Sequence, residues 1–249
     1  MELFRSSITS VLGGGASESR STPTSAETIE RLVDRLMHAT LLEDRRDACR
    51  AIKAMSRKFR IEVGVQALEP MTQILDMDRS DDEILSYALD TLCNICSPEE
   101  FEEEVGTESA KDNINGIGEQ FTEIYLKKSQ NVQLVVDILE EFDFKVRRPA
   151  VKLLTHLLLN KPREMQEIIL SSHMGVSRLM DIMVDTREVL RNDALLLLIQ
   201  LTKGNANLQK IVAFENAFDK LVDIVQVEGY SDGGIVVEDC LRLMLNLLR

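Results

Sequence analysis

Small residues recur along this chain at the head of an apolar pattern, and that recurrence limits the fold more than any single residue does. Ala48, Ala88, Ala150, Ala194 and Cys240 are followed four positions later by Ile52, Leu92, Leu154, Leu198 and Met244. Seven positions later come Met55, Ile95, Leu157, Leu201 and Leu247. Spacings of four and seven place all three positions on one helical face, so each copy is a helix with one apolar side. The copies are separated by 40, 62, 44 and 46 residues.

A second series repeats with them: Gln73-Ile74-Leu75, Asp137-Ile138-Leu139, Asp181-Ile182-Met183 and Asp223-Ile224-Val225, at steps of 64, 44 and 42 residues. Both series contain one long step at the same place, which puts an insertion of roughly twenty residues between the second and third copies. Helical repeats with a period near forty cannot bury their apolar faces alone and must stack on one another. The expected fold is all-α, an armadillo-like right-handed superhelical solenoid. Within the last two copies a short helix (Gln166–Leu170, then Gln209–Ala213) leads to a second helix and then to the long anchored one. Three helices per repeat favour the armadillo form over the two-helix HEAT form.

The expected layout is a flexible leader over residues 1–25, then a repeat region over 26–249, truncated at its C-terminus. The leader is rich in Ser, Gly and Thr around Gly13-Gly14-Gly15, and Phe4, Ile8, Val11 and Leu12 lie in it at helical spacing. A frayed terminus is the simpler reading of that segment; a short amphipathic docking or membrane-touching element is the other. Thr24 or Ser25 caps the first helix. The insertion, at about residues 98–117, carries Glu99, Glu100, Glu102, Glu103 and Glu104 and reads as a solvated acidic loop.

The chain carries 42 Asp and Glu against 29 Lys and Arg, a net charge of -13, and has no Trp. Such a balance opposes phosphate backbones and offers little for base stacking, so nucleic acid is not an expected partner. Four scattered cysteines give no disulfide framework and fit a reducing compartment. The start lacks a basic segment followed by an apolar stretch, which argues against a signal peptide, and the longest apolar run is too short to cross a bilayer. The expected location is cytoplasmic.

The sequence contains no phosphate-binding glycine loop, no HExxH and no GxSxG, so no catalytic residue, cofactor site or metal site is assigned. Cys93 and Cys96 have a metal-like spacing, but they lie on one repeat helix without a second pair and are read as packing residues. One constellation stands out six residues after each anchor: Ala54, Asn94, His156, Gln200 and Asn246. Four of the five can both donate and accept hydrogen bonds. Equivalent positions on stacked third helices line one concave surface, so Asn94, His156, Gln200 and Asn246 are a candidate peptide groove, with a solvated uncharged face as the alternative.

Longer blocks add a resemblance. Leu41-Leu42-Glu43-Asp44-Arg45-Arg46-Asp47-Ala48, Phe59-Arg60-Ile61-Glu62-Val63-Gly64, Tyr87-Ala88-Leu89-Asp90-Thr91-Leu92 and Gln120-Phe121-Thr122-Glu123-Ile124 resemble the general vesicular transport factors, the Uso-type tethers of the early secretory pathway. So do Met174-Gly175-Val176-Ser177-Arg178-Leu179, Ile211-Val212-Ala213-Phe214-Glu215-Asn216 and Ser231-Asp232-Gly233-Gly234-Ile235-Val236. The resemblance implies a non-enzymatic armadillo-repeat head that tethers vesicles between endoplasmic reticulum and Golgi and within the Golgi. It also implies a Rab small GTPase, SNARE or other tethering factors as partners, peripheral membrane association through them, and a homodimer only in the full-length protein, through a coiled coil this chain lacks. The alternative function is a generic armadillo adaptor for extended peptides.

Overall fold

The computed structural model describes residues 23–101 and 116–249. Among them there are thirteen α-helices and no strand. In chain order they are α1 (Ser25–His38), α2 (Leu42–Met55), α3 (Arg60–Met77), α4 (Asp82–Ile95), α5 (Ile117–Leu126), α6 (Ser129–Ile138) and α7 (Phe144–Asn160). Then follow α8 (Pro162–Ser171), α9 (Gly175–Met183), α10 (Glu188–Thr202), α11 (Ala206–Phe214), α12 (Ala217–Val227) and α13 (Gly234–Leu247). The leader's Phe4, Ile8, Val11 and Leu12 lie outside the described residues, as do residues 102–115 of the acidic insertion.

Helix entrances follow the side-chain chemistry. Thr24 caps α1 in a reciprocal box with Glu27: the Glu27 amide donates to Thr24 Oγ1 at 3.2 Å and the Thr24 amide donates to Glu27 Oε2 at 3.0 Å. Asp81 accepts from the Ile84 amide at the start of α4, Asp143 from the Lys145 amide at α7, and Asn205 from the Leu208 amide at α11. Pro162 starts α8, where its missing N–H costs no helical bond.

The five anchored helices are α2, α4, α7, α10 and α13, and each packs on the next. All five anchors, Ala48, Ala88, Ala150, Ala194 and Cys240, are fully buried, because a small side chain lets successive helices approach. Ile52, Leu92, Leu154 and Leu198 are buried behind them. On α13 the matching Met244 and Leu247 are only partly buried, and Leu241, Leu245 and Leu248 are exposed. Ile74, Ile138, Ile182 and Ile224 of the second series all lie in the core.

The last three repeats have three helices each: α5–α6–α7, α8–α9–α10 and α11–α12–α13. The expected triplet fails before the insertion, where α1–α2 and α3–α4 are pairs. A single 18-residue helix, α3, occupies the place of a first and second helix and runs through Pro70 without interruption. Gly116, Gly204 and Asn216 supply positive φ at later helix boundaries. Gly64 on α3 faces the Phe121 ring of α5 so closely that a Cβ there would lie 2.3 Å from the ring.

Charged side chains tie consecutive repeats together. Three residues before an anchor stand Arg45, Arg147 and Arg191, and each pairs with an acid at the end of the next repeat's second helix or its equivalent. Arg45 grips Asp78 through two bonds of 2.7 Å, Arg147 reaches Asp185 at 2.6 Å, and Arg191 pairs with Glu228. Leu85 takes this position on α4, and there Arg79 bridges instead to Glu141 at 3.1 Å and to the Asp137 carbonyl at 2.8 Å.

Candidate protein-binding surfaces of the solenoid

The stack of third helices carries the polar ladder. Ala54 is exposed, and Asn94, His156, Gln200 and Asn246 are half-buried on α4, α7, α10 and α13. Three of them reach back to the preceding third helix or its end. Asn94 Nδ2 donates to Ser56 Oγ at 2.8 Å. His156 Nδ1 lies 3.1 Å from the Cys93 carbonyl, which can only accept, so the proton sits on Nδ1 and Nε2 keeps its lone pair. Burial holds this imidazole below its ordinary pKa, and the Lys152 and Arg60 charges act in the same direction. Asn246 Nδ2 donates to the Ile199 carbonyl at 3.0 Å and to Thr202 Oγ1 at 3.2 Å. Gln200 makes no such bond among the described residues. Asn94, His156 and Asn246 therefore stitch repeats together, while the side-chain carbonyls of the two Asn residues have no hydrogen-bond partner among the described residues.

Two residues of the same kind do not stand out in the sequence because they lie off the repeat register. Asn160, at the end of α7, donates to the Cys96 carbonyl at 2.9 Å and to Thr122 Oγ1 at 2.8 Å. Gln166 on α8 donates to the Leu201 and Lys203 carbonyls, both at 3.0 Å. Arg60 escapes a sequence reading for another reason, since it looks like a surface charge at a helix start. It is buried and donates to the carbonyls of Ile95, Ser97 and Glu99, which end α4 and begin the insertion. A cation at a helix C-terminus is favourably placed in the helix field.

Cys93 and Cys96 belong to the core. Cys93 Sγ donates to the Pro149 carbonyl at 3.2 Å, and burial pushes the Cys96 thiol up to about 12, so both stay protonated.

Two hollows accompany the ladder. The first, of about 440 Å³, is lined by Arg50, Lys53, Ala54, Arg57, Tyr87, Asp90, Cys93, Asn94 and Lys152, so it opens on the third-helix face of α2, α4 and α7. The second, of about 560 Å³, lies between α3, α5 and α6 over Val65, Leu68, Phe121, Ile124 and Leu134. The Lys128–Glu69 pair at 2.7 Å stands at its rim. Among the described residues no helix is long and apolar enough to cross a membrane, and no group of three potential metal ligands comes together.

A stacked helical array of this kind defines an all-α, armadillo-like solenoid. No family model matches the chain. It is 58% identical over 226 residues to the general vesicular transport factor p115 of Homo sapiens, covering 91% of the chain and 23% of that protein. To the intracellular protein transport protein uso1 of Schizosaccharomyces pombe it is 34% identical over 223 residues, covering 90% of the chain and 20% of the relative. A solved structure of Uso1 superposes with a TM-score of 0.81 at 27% identity, covering 94% of the chain and 37% of the Uso1 chain. Over this segment the chain is similar to the p115 and Uso1 vesicular transport factors. It spans about a quarter of the length of the curated relatives it matches.

Proposed function

We propose that the chain is the head module of a vesicle-tethering factor acting between endoplasmic reticulum and Golgi and within the Golgi. The observation that carries this reading is the 58% identity to a general vesicular transport factor across nine-tenths of the chain. In this reading a rigid curved surface recognises a Rab small GTPase and SNARE or tethering partners, and the protein sits in the cytoplasm, peripheral on Golgi and transport membranes. In the same reading, homodimerisation belongs to the full-length protein. The test is capture of a panel of Rab proteins, each loaded with GTP or GDP, on the immobilised chain. A GTP-dependent partner from the early secretory pathway is expected; equal recovery of all nucleotide states would overturn the reading.

A second reading, an armadillo adaptor for extended peptides, is supported by the polar ladder. Asn94 and Asn246 are held by the preceding repeat, and their side-chain carbonyl oxygens have no donor among the described residues, which suits them to receive a peptide backbone N–H. A library of extended peptides screened against the wild-type chain and a Gln200→Ala variant separates the two readings. Loss of bound peptides in the variant is the outcome a groove requires.

A further inference from the structure

Every connection that leads into an anchored helix, residues 39–41, 78–81, 139–143, 184–187 and 228–233, carries an exposed apolar side chain in it or beside it. They are Leu41, Met77, Phe142, Val184 and Val227, and Phe142 is 92% exposed. Consecutive connections are tied to one another, so these side chains form one row. Arg45, at the start of α2, binds Asp78 beside Met77, and Arg79 binds Glu141 beside Phe142. Arg187 donates to the Phe142 carbonyl at 3.4 Å, Arg147 pairs with Asp185 beside Val184, and Arg191 pairs with Glu228 beside Val227. Scattered apolar residues are ordinary on a surface, but one in every repeat along the same edge makes a ridge.

The middle of the ridge is acidic. Asp82 and Asp143 have no cation partner among the described residues, and Lys145 is the nearest exposed cation to Asp143 in the chain. Loss of surrounding water raises the Asp82 carboxyl above its ordinary pKa, and the charges of Asp143, Glu141 and Asp81 act in the same direction. Acids of two neighbouring repeats thus share one negative field on either side of Phe142. Helix ends do not offset it, because each connection joins a C-terminus to an N-terminus and the two partial charges oppose each other.

We infer that this edge docks a basic amphipathic helix of a partner protein, its apolar side on Met77, Phe142 and Val184 and its cations toward Asp82 and Asp143. Spacing selects a helix. Stacked helices stand about 8–10 Å apart, so the apolar points recur at about that step. Residues seven apart on a helix share a face and lie about 10.5 Å apart, which matches one partner side chain to each repeat. An extended chain covers the same step in about three residues, and residues three apart on a strand point to opposite sides. Charge selects the sign, since a negative field steers a basic partner to this edge and repels anionic lipid. The ladder lies toward the C-terminal ends of the anchored helices and this edge at their N-terminal starts, so the inference stands apart from the peptide-groove reading.

The test uses the full chain and fluorescence anisotropy with a labelled peptide of about 18 residues, leucines at i, i+4, i+7 and i+11 and Lys and Ala elsewhere. A counterpart with Glu for Lys, and vesicles of phosphatidylcholine and phosphatidylserine, complete the set. The Lys peptide is expected to bind, less so as salt is raised, and the Glu peptide is not. Phe142→Ser with Val184→Ser should weaken the Lys peptide roughly tenfold or more, and Asp82→Asn by about threefold. A control that removes comparably exposed apolar side chains elsewhere, Phe214→Ser with Val222→Ser, should retain affinity, and melting of every variant confirms the fold. Equal binding of the Glu peptide would overturn the basic assignment and reject the proposal. Binding of neither peptide, or equal weakening by the control pair, would reject the site. Vesicle binding without peptide binding would make the ridge a lipid-facing edge and reject the proposal as well.

Discussion

Arg147 and Asp185 close a 2.6 Å ion pair between α7 and the end of α9, with side chains only 15% and 7% exposed. Arg187 adds two bonds to the same carboxylate, at 2.9 and 3.0 Å, and its amide donates a third at 2.8 Å. Asp185 thus joins the third helix of one repeat to the turn that begins the third helix of the next.

That carboxylate gives a pH prediction. The hydrogen bonds from Arg187, supported by the Arg147 charge and opposed by burial, hold Asp185 down to about 2. A carboxylate whose folded pKa lies below its unfolded value of about 3.9 stabilises the fold above about pH 4, and loses that contribution as the pH falls through 2. Asp185→Asn should lower the melting temperature at pH 7 and flatten its fall between pH 4 and 2. Thermal melts across that range check it; parallel curves for variant and wild type would remove Asp185 from the acid response.

Arg60 should be irreplaceable, Lys included. Its guanidinium satisfies three carbonyls at the end of α4 from a buried position. Alanine leaves those acceptors without a partner at a cost of about 3 kcal/mol or more, and an ammonium cannot reproduce the fork. Chemical denaturation of Arg60→Ala and Arg60→Lys is expected to show large losses in both. A lysine variant as stable as wild type would mean that charge alone matters here.

Leu154 tests the stacking itself. It is 1% exposed on α7, the helix packed between α4 and α10. Leu154→Asp buries an unpaired charge between repeats and should cost at least about 3 kcal/mol, with neighbours unfolding together because each repeat lacks a core of its own. Hydrogen exchange should lose protection over α4, α7 and α10 at once; loss confined to α7 would show that the repeats are not coupled.

Much of this was legible from spacing. The five anchors and the second isoleucine series mark the third and second helices, because burial in a stacked array repeats with the period of the array. The α3 helix was not legible, since the α5–α6 and α8–α9 breaks also form without a left-handed residue and no residue type marks where a break falls or fails. The inter-repeat pairs were hidden differently: Arg147 and Asp185 are 38 positions apart, and exposed and buried charges look alike in a sequence. The ladder positions were found by register, but the bonds that hold Asn94, His156 and Asn246 depend on Ser56, Cys93, Ile199 and Thr202, whose alignment only stacking supplies.

Those bonds sharpen the groove prediction. Asn246 makes two bonds to the preceding repeat, so Asn246→Ala should lose on the order of 1 kcal/mol per bond in stability, whether or not anything binds. Asn94→Ala should lose about one such bond, to Ser56. Gln200 makes none among the described residues, so Gln200→Ala should leave melting unchanged while removing a hydrogen-bonding side chain from the middle of the row. If the ladder grips a peptide, that variant weakens it roughly fivefold to tenfold at constant stability. Titrating the same peptide into wild type and Gln200→Ala, with melts recorded for both, makes the comparison. Equal affinity would leave the ladder as a stitch between repeats.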